Sequence, residues 1–191
     1  MHKSSPTSSL RSAGFSFVEL LVAFAVLILA LSIFSNAVAG LGKQRVVSRE
    51  NALAAWAASN VLESMRREDF AEVFALYNSD SGDDPVVSAP GNRFLVAGLD
   101  SLPGAPAGLH GEVIFPTFED PLDGLQLRED LVDPRFGTPR DLSGDSIIDG
   151  NGHNDDYFAL PVLIRIQWSG STGRRQYELA SLLCHFEKAD L

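Results

Sequence analysis

One carboxylate, Glu19, stands at the head of an otherwise apolar run, flanked by Phe17, Val18, Leu20 and Leu21. No residue from Leu20 to Gly42 carries a charge, and Leu20 to Phe34 reads LLVAFAVLILALSIF. A carboxylate in a membrane helix costs on the order of 2.5–3.5 kcal/mol at the bilayer centre, so it demands a counter-charge. The chemistry open to Glu19 is therefore ion pairing. A second concentration of polar chemistry lies at residues 141–156, DLSGDSIIDGNGHNDD. Asp141-x-Ser143-x-Asp145 has the alternation that turns every second oxygen-bearing side chain inward around a calcium ion. Candidate ligands are Asp141, Ser143, Asp145, Asp149 and Ile147, whose only oxygen is its carbonyl. Ser146 stands where such a loop has glycine, and Gly152 fills the twelfth position in place of a bidentate Glu, for which Asp149, Asn151 or Asp155 could substitute. A solvated acidic loop that binds nothing is the competing reading. Two things favour the ion: many carboxylates repel one another unless neutralised, and the one cysteine, Cys184, cannot staple the loop with an internal disulfide.

The elements that must position Glu19 begin just before it. Residues 14–19 read Gly14-Phe15-Ser16-Phe17-Val18-Glu19, and proline is absent from Thr7 until Pro85. Alanine and leucine dominate the apolar run, so helix propensity is high, and as a helix the segment crosses most of a hydrocarbon core of roughly 30 Å. The glycine, the Phe that follows it and the lone Glu at fixed offsets resemble the prepilin peptidase motif of type IV pilins and type II secretion pseudopilins. That resemblance implies cleavage between Gly14 and Phe15, N-methylation of Phe15, and a filament in which Glu19 faces the ammonium of a neighbouring subunit and sets axial register. It also implies a bacterial inner-membrane protein with one pass and a periplasmic C-terminal domain. Its partners would be other pilin or pseudopilin subunits, the prepilin peptidase, an inner-membrane assembly platform and the lipid bilayer. An ordinary secretory signal is the alternative, with Lys3 and Arg11 in its n-region and Ala37-Val38-Ala39 as its cleavage site. It would release a soluble hydrolase or binding module.

The formal net charge is -10 and the pI about 4.7, which argues against a nucleic-acid partner. Basic residues Lys3 and Arg11 precede the apolar run and acidic ones concentrate after residue 60, the order expected for export with the N-terminus inside. The organisation that follows is a leader at 1–14, a transmembrane or filament-core helix at 15–42, an amphipathic continuation and turn at 43–78, and a β-rich domain at 79–191.

Past Lys43 the spacing of Val46, Leu53, Trp56, Ala57, Val61 and Met65 predicts an amphipathic face, so one helix is expected over 15–67 with a shorter piece at 69–77. Trp56 and Met65 read as core-facing. The stretch 54–63 is similar both to the minor pseudopilin of type II secretion that joins the filament tip and to minor pilins of pilus assembly. Strands are expected at 93–98, 112–115 and, more weakly, 125–131. Val162, Ile164, Ile166 and Trp168 alternate with polar or outward positions, a turn follows at 169–173, and Tyr177, Leu179, Ser181 and Leu183 alternate on the return. The fold class is α+β, a long helix laid on an antiparallel sheet, as the pilin resemblance also implies. Catalysis is not expected. Gly144-Asp145-Ser146-Ile147, with His153 nearby, resembles the nucleophile motif of certain serine esterases, but that motif opens a large α/β domain and fewer than fifty residues follow it here. His110 and His185 have no companions at metal spacing.

Overall fold

The computed structural model describes residues 16–105, 108–171 and 173–185. The chain divides into two compact units, Met1–Arg45 and Val46–Leu191. Helix α1, Phe17–Met65, runs for 49 residues, with no proline to remove a backbone donor.

In the first unit every described residue is exposed, including Leu20, Phe24, Leu27, Ile28 and Leu31, each more than half so. At 1.5 Å per residue, positions 17–42 extend about 39 Å, more than a hydrocarbon core of roughly 30 Å. This helix is long and apolar enough to cross a membrane.

The second unit is α+β. Its stretch of α1 buries Ala54, Ala57, Ala58, Leu62 and Met65, a stripe at helical spacing. Trp56, expected on that stripe, is 65% exposed, and Val46 is exposed as well. The buried stripe runs through 54, 57, 58, 62 and 65, with 61 half-buried, and at about 100° per residue position 56 falls on the opposite face of the helix. A 3₁₀ turn, Phe70–Glu72, follows, capped by Asp69 Oδ1, which accepts the Ala71 N–H at 3.2 Å. Helix α2 is Val73–Tyr77.

The strands are β1 Arg93–Phe94, β2 Gly111–Ile114, β3 Thr117–Asp120, β4 Gly124–Leu127, β5 Ala159–Gly170 and β6 Gly173–Cys184. The main antiparallel sheet has the order β1-β2-β5-β6, and β3 pairs with β4. Leu160, Val162, Ile164, Ile166 and Trp168 point from β5 into one core with Val113 of β2, the alanine stripe of α1, Phe74 and Leu127. Along β6, Tyr177, Leu179, Ser181 and Leu183 are the more buried positions and Gln176, Glu178, Ala180 and Leu182 between them the exposed ones.

The expected strand at 93–98 is cut short at Phe94. The Val96 N–H is taken by His110 Nδ1 at 3.3 Å, and Gly98 turns the chain at a φ of 87°. Strand β3 lacks a period-two signal. What makes it is the turn that follows, where Asp120 Oδ1 accepts the N–H groups of Leu122 and Asp123, and Gly124 takes a φ of 73°.

Tyr157 ties the loop before β5 to the helical segment. Its hydroxyl donates to the Phe70 carbonyl at 2.5 Å and accepts the Phe74 N–H at 3.2 Å. Burial pushes this hydroxyl up from 10.0 to about 12. Tyr157→Phe takes the buried hydroxyl from the Phe74 N–H and removes one of the two donors to the Phe70 carbonyl, which keeps the Val73 N–H, and is expected to cost about 1–3 kcal/mol, measured by urea unfolding. Because the folded pKa is the higher one, the tyrosine's contribution is complete below pH 10 and is lost as pH rises through 12. An alkaline loss of equal size in Tyr157→Phe would show that this residue is not its source.

Candidate functional site

Gly14 and Phe15 lie outside the described residues. Glu19 is in the first turn of α1, whose first bond runs from the Leu20 N–H to the Ser16 carbonyl at 3.1 Å. It is exposed, among apolar side chains that are exposed too. An acidic residue in the first turn suits the positive end of the helix dipole.

The acidic loop is built against β4. The His153 N–H donates to the Leu127 carbonyl at 2.9 Å. Asn154 Oδ1 accepts the Leu127 N–H at 2.7 Å, and its Nδ2 donates to the Leu125 carbonyl at 2.8 Å. Gly152 packs against the Gln126 side chain, whose amide end would have to turn away from a Cβ at that position. From the other side comes Glu129, 0% exposed. Its Oε1 accepts the N–H groups of Leu142 at 2.6 Å and Ser143 at 2.9 Å.

The predicted calcium ligands fall into two groups. Asp141 accepts from the Gly144 N–H at 2.6 Å, the Ser146 N–H at 2.8 Å and the Ser143 hydroxyl at 3.3 Å. These bonds, the Gly144 N–H foremost, hold its carboxyl below the ordinary carboxylate value. Asp145 Oδ1 accepts the Ile147 N–H at 2.7 Å. Ser146 adopts the left-handed conformation, φ 71°, that glycine adopts at that place in a calcium loop.

Asp149 belongs elsewhere. It accepts from the Asn151 N–H and side-chain amide and faces His153, with Oδ1 3.4 Å from Nε2. The Asn151 N–H, then His153, keep the Asp149 carboxyl below its ordinary value. Nε2 of His153 also lies 3.7 Å from Glu129 Oε1, while Nδ1 lies 3.1 Å from Asp156 Oδ1. Burial opposes a charged imidazole here. The field of Glu129 and the contacts with Asp156 and Asp149 outweigh it and raise the His153 pKa.

Glu129, Asp149 and His153 are the group, among the described residues, whose ligand atoms all lie within 4.8 Å of one another. Sequence reasoning missed Glu129. The signal was available: Leu125, Leu127, Glu129 and Leu131 share one parity, which puts the glutamate on the inward face of the weak strand candidate. Ser146, by contrast, is not hydrogen-bonded to His153; its N–H serves Asp141. His110 is buried and holds the Val96 N–H, and His185 stacks on Phe70 with centroids 5.5 Å apart. Comparison with protein-family models, curated proteins and solved structures returns no match.

Proposed function

We propose that the protein is a minor pilin or pseudopilin, a non-catalytic subunit held in the bacterial inner membrane and then assembled into a type IV pilus or a type II secretion pseudopilus. The observation that carries this reading is the exposed apolar helix of the first unit, headed by the single carboxylate Glu19. A lone anchor would serve equally well without that carboxylate, whereas a filament core has a use for it. Cleavage before Phe15 creates an ammonium one helical turn from Glu19, and in the filament the ammonium of a neighbour answers it. Burying either charge alone is costly, so correctly staggered subunits are selected. Packing of apolar helices supplies the bulk of the assembly energy. The second unit, a helix and an antiparallel sheet round one core, is the pilin-like domain on this reading. It sits in the periplasm and then on the outside of the filament, where its acidic surface meets other subunits or cargo.

Sequencing the mature N-terminus tests the proposal. Methylated Phe15 is the expected first residue. Gly40 would mean release by signal peptidase after Ala39 and would overturn the filament reading in favour of a soluble secreted protein.

A further inference from the structure

We propose that Glu129, Asp149 and His153 form a site for a divalent first-row transition ion of the zinc class, which fastens the acidic loop to strand β4. The inference does not rest on the filament reading.

Two polar atoms point to a ligand. Glu129 Oε2 and His153 Nε2 are both buried and neither has a hydrogen-bond partner among the described residues. Glu129 is 0% and His153 7% exposed. A buried polar atom left unpaired costs about 1–3 kcal/mol, and a buried carboxylate more. Without an ion, a protonated ring reaches these carboxylates only at long range, with Nε2 3.4 Å from Asp149 Oδ1 and 3.7 Å from Glu129 Oε1.

Each of the three residues offers a ligand atom within 4.8 Å of the other two, a spacing that an inward adjustment brings onto a shared ion. Ligands about 2.0–2.1 Å from a tetrahedral zinc are roughly 3.4 Å from each other. Two carboxylates and a neutral imidazole carry a charge that a divalent cation cancels. Arg128, the nearby cation, is committed to Asp130 through two bonds. On the far side of the ring, Nδ1 faces the Asp156 carboxylate at 3.1 Å. That arrangement fixes the tautomer that presents the Nε2 lone pair, as the outer carboxylate of a histidine–metal pair does. The nitrogen donor disfavours calcium, which takes oxygen ligands, and favours zinc and its neighbours. The ion would join Glu129, just after β4, to two points in the loop, which the single cysteine cannot staple.

The test uses the full chain in detergent, with a histidine-free tag, stripped with a chelator and titrated separately with zinc and calcium by calorimetry. One zinc per chain and a zinc-dependent rise in melting temperature are expected, with cobalt giving the absorption of a tetrahedral site. His153→Gln and Asp149→Asn should each weaken zinc binding at least tenfold. Asp156→Asn, which keeps the three ligands, should weaken it about 10–100-fold, while His185→Gln should not change it. Asp149 is partly exposed, so its variant is expected to keep the metal-free melting temperature and separates lost binding from lost folding. Absence of stoichiometric zinc binding, calcium bound in preference to zinc, or undiminished zinc binding in Asp149→Asn and His153→Gln would each overturn the site.

Discussion

Trp168→Ala is expected to remove about 3–5 kcal/mol from the stability of the second unit. Folded domains hold only about 5–15 kcal/mol in total, so this is a large fraction. Trp168 is 1% exposed near the end of β5, and it is the largest fully buried side chain of the core. Its indole N–H donates to Glu50 Oε2 on α1 at 3.1 Å, and the Arg175 guanidinium of β6 lies 5.9 Å from the ring centroid. One side chain thus joins helix, central strand and edge strand. The truncation opens a cavity and strips Glu50 of a donor. Trp168→Phe, which keeps most of the volume and loses the N–H, should cost clearly less. Denaturant unfolding of the full chain in detergent, followed by circular dichroism, measures both. A loss below about 1 kcal/mol in the alanine variant would mean that the core closes over the gap.

Glu19→Val is expected to abolish incorporation into filaments while membrane insertion and cleavage before Phe15 continue. On the proposed function, the valine leaves a neighbour's ammonium buried without an answering charge. Removing one partner of a buried pair costs about 3–5 kcal/mol, and about 3 kcal/mol already corresponds to a loss on the order of a hundredfold in association. Quantifying the variant in sheared filaments and in the membrane fraction separates assembly from insertion. Wild-type amounts in the filaments would end the register role of Glu19. Glu19→Asp, which keeps the charge one methylene shorter, should be milder than the valine variant.

The parts of this fold that could be read from residues alone are those with a strong period. The uncharged run from Leu20 to Gly42 and the alternation on either side of residues 169–173 define α1 and the β5–β6 hairpin. Trp56 was misplaced because a large apolar residue outweighs alanines in any reading by hydrophobicity, whereas the helix buries Ala54 and Ala58 completely. Strand β3 was invisible because its residues, Thr117–Asp120, are half-exposed and partly acidic, and its pairing depends on a turn. In the acidic loop, spacing pointed to Asp141, Ser143 and Asp145 as partners of Asp149. The chain instead brings Asp149 to His153, its i+4 neighbour, and within 4.8 Å of Glu129, twenty residues earlier. A contact of the second kind is set by how the loop docks on β4, which no local pattern encodes.

Before Leu62 and Met65, the helix stripe is made of alanines at 54, 57 and 58, whereas β5 contributes bulky side chains, and this local division of sizes has an evolutionary corollary. Random substitution should be punished in opposite senses on its two sides. On the strand the damaging changes are those that shrink a residue, and on the helix those that enlarge one, because a methyl group at 0% exposure has no room to grow. Drift in this domain would then keep positions 54, 57 and 58 small and the strand stripe large.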